Sequence, residues 1–366
     1  MSILEKIIVK DFRNIAFAEL SFSPRINCIC GSNGQGKTNL LDAIHYLSLA
    51  RSAFGNSDAP CFRYGTDSFA VSGLCRMPDS IISRFTLNVT KGGSKVMKRD
   101  DKAYARLSAH LGVMPSVMVS PQDSSLVSES GQERRRFVDS VLSQTDPLYL
   151  AALQKYNRAL IQRNCLLKET ESNDDLLDVL DVSMASSAAV IVDKRDAFAL
   201  ELGEAVVSYY SNLSGAKEEV SIVYRPDLGS GCGRDDALAS FRSARKRDHI
   251  MKYTTVGVQR DEFEFNLNGY PIRKYGSQGQ QKSFLVALKL AQYDIMKKRY
   301  GFPPVLLLDD VFDKLDADRM SNMLKLVCNG DYGQIFITDT NRERMESIVR
   351  GLSADAKYFE ARNGEF

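Results

Sequence analysis

"INCICGSNGQGKTNLLDAIHYL", residues 26–47, decides how this chain is read. A five-residue run of strand character leads into a glycine-rich octet, and an apolar helix-like run follows. Gly31, Gly36, Lys37 and Thr38 match the pattern G-x-x-x-x-G-K-[ST], in the strand-then-helix context that this pattern requires. Such an octet is a phosphate cradle. The backbone N–H groups of residues 33–38 would wrap the α- and β-phosphates of a nucleotide, Lys37 would reach the β- and γ-phosphates, and the Thr38 hydroxyl would bind Mg2+. Ser32, Asn33, Gly34 and Gln35 complete the loop. The bland alternative is a glycine turn that happens to contain Lys-Thr, and an eight-residue match alone does not exclude it.

"PVLLLDDVFDKLD", residues 304–316, adds the second half of the chemistry. Five apolar or proline residues ending in two carboxylates describe a buried central strand. It would deliver Asp309 and Asp310 to the carboxyl edge of a parallel sheet, where ligands bind in open α/β folds. Asp309 would hold Mg2+ through water and Asp310 would orient the attacking water of ATP hydrolysis. Acidic residues that merely cap the next helix would suit Asp313 or Asp316 better than a pair at the end of an apolar strand.

A third stretch, "YGSQGQQKSFLVALKL" (residues 275–290), opens a helix with an unusual polar start. Ser277 is a good N-cap and Gln280 its capping-box partner three residues on. Capping gives no reason for Gly279, which costs roughly 1 kcal/mol against alanine inside a helical turn. Bare backbone at a helix N-terminus is an anion site. One subunit already has its own cradle, so this second site becomes useful across a dimer. Ser277, the N–H groups near Gly279, and Gln280 would contact the γ-phosphate held by the other chain.

The bulk numbers fit a reduced, cytosolic globular protein. The chain has 366 residues, 44% of them hydrophobic and 26% charged, with a formal net charge of +2. A nucleic acid must therefore be met by a local patch and not by the average field. Seven cysteines lie scattered without a CxxC pair and the three histidines are far apart, which argues against a zinc site and a disulfide framework. The first residues, "MSILEKIIVKDF", alternate like a strand, and no stretch approaches ~18 uncharged apolar residues, so neither secretion nor membrane spanning is expected.

Strand signals fill the first hundred residues around the phosphate loop and return at "EEVSIVY" and "DEFEFNLNGYPIRK", the latter with Asn268-Gly269 as a hairpin turn. From about Gln132 to about Leu213 the period is helical, with a break at "ESNDD". Strands "PVLLLDD" and "QIFITD", a helix from about Ala317 and a last short helix complete the chain. The expected organisation is α/β: an ATPase lobe from residues 1–120 and 251–366, with a mainly helical lobe, 121–250, inserted between.

The motifs in this order resemble the ATP-binding-cassette (ABC) ATPases of the SMC/Rad50 class, and more closely the bacterial RecF recombination-repair family. The resemblance runs over essentially the whole chain, through "IIVKDFRNI", "GSNGQGKTNLLDAI", "SPQDSSLV", "RRRFVDSVLSQ", "SQGQQKSFLVALKLA", "LLLDDVFDKLD" and "QIFITDTN". It implies an ABC-type ATPase head with a P-loop, ATP and Mg2+ as ligands, and an ATP-dependent homodimer that hydrolyses ATP slowly. It also implies binding to DNA at single-strand/double-strand gap junctions, work with RecR and RecO, and help in loading RecA. Gln122 of "SPQD" falls near the Q-loop and is added to the Mg2+ candidates. Two positions depart from the pattern: "GVQRDE" (residues 257–262) replaces Gly-Pro-His-Arg-Asp-Asp, and residues 313–316 read Asp-Lys-Leu-Asp where Ser-Glu-Leu-Asp is commoner.

Basic stretches supply Arg134, Arg135, Arg136, Arg158 and Arg163. A charge run is usually a solvated face, but within this family some of these arginines are expected on DNA phosphates. No helix-turn-helix or zinc finger offers base reading, so recognition by backbone and junction shape is expected. Three rival readings remain beside this one. A transporter-type nucleotide-binding subunit lacks support from the "SQGQQ" signature. A non-hydrolysing ATP-gated clamp is disfavoured by the intact Lys37, Thr38, Asp309 and Asp310. A nuclease of the related overcoming-lysogeny class would need a further metal-binding domain.

Overall fold

Alternating and continuous apolar patterns separate into different sheets in the computed structural model, which describes residues 1–55, 57–129, 131–169, 173–215, 218–311, 332–350 and 355–366. In chain order the strands are β1 (Ile3–Phe12), β2 (Ile15–Ser21), β3 (Ile26–Cys30), β4 (Ser68–Arg76), β5 (Ile82–Thr90), β6 (Lys95–Arg99), β7 (Lys102–Ala103), β8 (Ser116–Val119), β9 (Val220–Arg225), β10 (Glu262–Leu267), β11 (Tyr270–Pro271), β12 (Val305–Leu308), β13 (Ile335–Asp339) and β14 (Ala356–Glu360). The chain forms two compact units. Unit 1 comprises Met1–Ser124, Asn212–Ser214 and Leu285–Phe366, and unit 2 comprises Ser125–Ser211 and Gly215–Phe284.

Unit 1 contains two sheets. The antiparallel one has the order β2-β1-β4-β5-β6-β7, and its strands alternate as a half-buried sheet must: Phe85, Leu87 and Val89 of β5 are buried between exposed or partly exposed neighbours. The other has the order β14-β3-β13-β12-β8 with every pairing parallel. Strands β3, β8, β12 and β13 are buried at every position, as strands covered on both faces are. The helix Lys37–Leu49 leaves β3 and buries Leu40, Leu41, Ile44 and Leu47 in the core that also holds Leu4, Val71 and Phe336. Strands β8 and β14, four and five residues long, carry no expectation from the sequence.

Unit 2 is mainly helical, with helices Gly131–Thr145, Pro147–Leu166 and Arg234–Met251 and most of Asp174–Ser214. Asn173 caps the long helix, accepting from Leu176 N at 3.0 Å, at the break read in "ESNDD". Its 41 residues span about 60 Å at 1.5 Å per residue. The antiparallel sheet β11-β10-β9 also belongs to unit 2, and Asn268 and Gly269, at φ 49° and 81°, turn its hairpin. This moves the second boundary. Residues 251–284 were expected in the ATPase lobe, but β10 pairs with β9 along its whole length, so they stay with unit 2 up to Phe284.

Two buried arginines tie unit 2 together. Arg195, 2% exposed, donates to Asp261 Oδ2 (2.6 Å), Val258 O (2.7 Å), Asp139 Oδ1 (2.8 Å) and Tyr149 OH (3.1 Å). Asp261, itself fully buried, also accepts from Tyr224 OH at 2.5 Å and Asp227 N at 3.0 Å. The departing segment 257–262 is thus a clasp: Gln259 accepts from Tyr156 OH at 2.5 Å and Gly257 N donates to Asp227 Oδ2 at 2.8 Å. Arg163 is the second hub, fully buried and bonded to Asp181 and Asp248 at 2.7 Å each and to Thr254 Oγ1 at 2.9 Å.

His45, on the helix Lys37–Leu49, is buried, and burial pushes its imidazole down to about 3, with the charges of Arg51 and Lys289 acting the same way. The folded protein therefore keeps His45 neutral where an unfolded chain, titrating near 6.5, takes up a proton. Stability must fall as pH drops below that value, by at most about 1.4 kcal/mol per pH unit for this group. Urea unfolding at pH 6.5 and pH 5 should show a smaller loss in His45→Gln than in the wild type. Equal losses in the two proteins would remove His45 as the source.

Candidate functional site

The phosphate loop starts where β3 ends and closes where the helix Lys37–Leu49 begins. Gly34 and Gly36 take φ 80° and 106°, a left-handed turn that a side chain would strain, and Gly31 has no room for one: a Cβ there would lie 2.5 Å from Ala361 O. Ser32, Asn33 and Gly34 form the exposed crest, while Gly36 and Lys37 are buried. Gly36 caps the helix without a side-chain hydrogen bond, so the first-turn amides face outward with no carbonyl ahead of them. Lys37 Nζ donates to Gly31 O at 2.7 Å and Ser32 O at 3.1 Å, which aims the ammonium across the mouth of the loop.

Thr38 Oγ1 lies 2.9 Å from both oxygens of Asp309, which follows β12. Thr338, on β13, donates to Asp309 Oδ1 at 2.9 Å and accepts from Asp310 N at 2.9 Å. Asp309 is 3% exposed, and burial pushes its carboxyl up to about 6 against the two hydroxyl donors that favour the charged form. Asp310, partly exposed, sits at φ 43° as the chain turns away from the strand. The cluster is a set of hard oxygen donors beside a phosphate cradle. That fits Mg2+, which takes one or two protein oxygens and fills its shell with water and phosphate. Among the described residues no group of three or more His, Cys, Asp or Glu could hold a metal by itself. Gln122, exposed, lies in the turn Pro121–Ser124 just beyond β8, the strand next to β12, and Lys289 pairs with Asp123 of that turn at 2.7 Å.

Ser277, Gly279 and Gln280 belong to unit 2, whereas the phosphate loop belongs to unit 1. The capping box is formed: Ser277 N donates to Gln280 Oε1 at 2.7 Å and Gln280 N to Ser277 Oγ at 3.3 Å. Gln280 Nε2 donates to Glu218 Oε1 at 2.6 Å. Ser277 is exposed at the start of the helix Gln278–Tyr300. Residues 313–316 and the helix expected from Ala317 lie outside the described residues.

The arginines divide. Arg163 cannot meet a DNA phosphate, because it is fully buried between Asp181 and Asp248. Arg134, 6% exposed, is likewise turned inward, over the Phe265 ring and beside Glu262. Arg135 donates to Asp261 O at 2.5 Å and is half-buried, while Arg136 and Arg158 are exposed. Arg135 and Arg136 line a cavity of about 190 Å³ together with Gln132, Asn157 and Gln259.

Sequence reasoning passed over Thr338, Arg13 and residues 361–364. Thr338 gave one signal, a hydroxyl at the end of an otherwise apolar strand. Arg13, in "FRN", donates to Asp42 Oδ2 (2.9 Å) and Ser52 Oγ (3.1 Å) and so fixes the phosphate-loop helix from outside.

A P-loop after the first parallel strand, an aspartate at the end of the next strand but one in the same sheet and an antiparallel sheet in the same unit define an ABC-type ATPase head. The profile of the "RecF/RecN/SMC N terminal domain" matches residues 3–59. Proteins named "DNA replication and repair protein RecF" from Porphyromonas gingivalis and Bacteroides fragilis are each 43% identical over 363 residues, 99% of this chain and 99% and 97% of theirs. A solved structure of the recombination mediator protein RecF-ATP in the RecFOR pathway superimposes with a TM-score of 0.88 at 30% identity, covering 99% of this chain and 98% of that one. An Smc head domain derived from Pyrococcus furiosus, 15% identical with a TM-score of 0.57 over 100% of this chain and 95% of that one, shares the fold. The chain belongs to the RecF family of DNA replication and repair proteins.

Thr338→Val removes the donor to Asp309 and the acceptor for Asp310 N while keeping the side-chain shape. Leaving buried polar groups unpaired should cost about 1–3 kcal/mol, read as a lower denaturation midpoint. An unchanged midpoint would mean that the two aspartates are held without Thr338.

Proposed function

We propose that this chain is an ATP-dependent DNA-binding protein of recombinational repair and replication, acting in the cytoplasm as an ATP-gated dimer on gapped DNA. The junction of Thr38 with Asp309 beside the phosphate loop carries the reading. RecF relatives solved with ATP and with ATPrS in the RecFOR pathway support ATP as the nucleotide and RecR and RecO as the pathway partners, and help in loading RecA is the role that the family resemblance implies. Bound Mg2+ would neutralise charge on the β- and γ-phosphates. Residues 33–38 hold the phosphates, Lys37 faces the γ-phosphate, and Thr38 and Asp309 hold the metal, with Gln122 as a further candidate ligand. Asp310 orients the attacking water. Hydrolysis is slow and DNA-stimulated, and it times the opening of the dimer. Exposed Arg136 and Arg158, with half-buried Arg135, are the arginines left to meet DNA phosphates, so binding weakens steeply with salt.

Titration of a gapped duplex with ATP and with ADP tests the reading. Lys37→Ala should lose ATP binding and the ATP-dependent gain in DNA affinity. Asp310→Asn should bind ATP, turn it over at least about tenfold more slowly and stay on DNA, since the water-orienting group supplies part of the rate. Equal DNA affinity with the two nucleotides would remove the gated dimer. Wild-type turnover in Asp310→Asn would remove the role of Asp310.

Ser277 and the first-turn amides of its helix are proposed to read the γ-phosphate held by the partner chain. Ser277→Arg should leave each chain folded and able to bind ATP but monomeric in sedimentation with ATP. If only the helix cap matters, the substitution costs roughly 1 kcal/mol and the chains still pair.

A further inference from the structure

Past β14 the chain comes back to the phosphate loop. Ala361 N donates to Cys30 O at 2.7 Å, directly before Gly31. Residues 362–365 then form a tight turn: Arg362 N donates to Glu365 O and Glu365 N to Arg362 O, each at 2.9 Å, with Asn363 at φ 51° and Gly364 at φ 84°. The turn grips Gln35 twice. Asn363 N donates to its side-chain Oε1 at 2.6 Å and Gly364 N to its backbone O at 2.9 Å. Behind it stands Asn14: a Cβ on Gly364 would lie 2.4 Å from Asn14 O, and one on Gly36 would lie 3.0 Å from the Asn14 side chain and 3.3 Å from Gly364 Cα. Asn14 in turn accepts from Asn39 Nδ2, in the first turn of the phosphate-loop helix, at 2.7 Å.

These contacts hold the loop at its entry, at Gln35 and at Gly36, and they leave the crest 32–34 exposed. The held limb is the one that aims the amides of residues 36–38 and the Lys37 side chain. Arg362 is paired with Glu360 at 2.7 Å, so the turn works by placement and brings no uncompensated cation to the site.

We propose that the turn 362–365 is a positioning element of the nucleotide site: through Gln35 and Gly36 it presets the phosphate loop and so sets the affinity for ATP, leaving the hydrolytic step alone. A preorganised loop does not have to be ordered by the ligand, and the ordering cost returns as weaker binding when the brace is lost. The inference rests on the phosphate-loop reading above.

Gly364→Val places a side chain against Asn14 O at a left-handed φ and should displace the turn. The expected result is ATP affinity weaker by about tenfold and KM raised in parallel, with kcat at saturating ATP within about twofold of the wild type. Gly364→Ala should move the same quantities in the same direction by less, and it keeps the test readable if the valine variant does not fold. Asn363→Gly keeps the N–H and the left-handed turn and should bind ATP normally. Wild-type ATP affinity in Gly364→Ala and Gly364→Val alongside a lower melting temperature would overturn the proposal, as would a fall in kcat with affinity intact. Lys37→Ala run beside them separates the two readings: normal ATP binding there would sink the phosphate-loop assignment itself, whatever the Gly364 variants do.

Discussion

Three parallel strands in consecutive register, β3, β13 and β12, force the chemistry of unit 1 to one edge. Ile337 of β13 pairs with Cys28 on one side and Leu308 on the other, so the chain leaves all three strands at the same level. From β3 it enters the phosphate loop, from β12 it delivers Asp309 and Asp310, and between them β13 offers Thr338. The Asp309 carboxylate is nearly out of water and is kept in place by two hydroxyls from two different elements. A buried carboxylate with fewer donors would be costly to keep charged. Both its position and its charge therefore depend on a strand order that no single motif contains.

The parts of this site that were legible in the sequence are those whose chemistry is local. An octet with glycines at fixed places, a lysine and a threonine states a backbone shape and a ligand class within eight residues. "VLLLDD" states a buried strand with an acidic end just as compactly. Ser277 and Gln280 announced their capping box because its partners are three residues apart. β3 and β12 were legible although only five and four residues long, because the glycine octet and the carboxylate pair follow them, while β8 and β14, just as short, carry no such motif at their ends. Thr338 and Asn363 owe their roles to residues 29 and 328 positions away. No local pattern can announce such a pairing.

Charge runs mislead for the same reason. Arg163 and Arg136 both stand in basic stretches of helices, yet one is sealed inside unit 2 and the other is exposed. What separates them is the presence of carboxylates far along the chain, Asp248 lying 85 residues from Arg163 and Asp261 lying 66 from Arg195. Breaking such a buried pair leaves an uncompensated charge, at a cost of about 3–5 kcal/mol, so these arginines serve the folding of unit 2 before any surface task. The segment "GVQRDE" shows the converse. Its departure from the family pattern put a special role for it in doubt, yet the departing Gln259 and the retained Asp261 are both hydrogen-bonded inside the clasp.

The brace on the phosphate loop has a consequence for the order of events at the ribosome. Gln35 emerges early, and the backbone N–H that grips its side chain comes 328 residues later. At about 5–20 residues per second that interval is roughly 16–66 s. For most of it β3 also lacks its neighbours β13 and β14, which are made only from residues 335 and 356 on, so the nascent chain carries a phosphate-loop sequence without the strands that flank it. The held form of the loop is therefore reached only after residues 363 and 364 have been made, long after the octet itself.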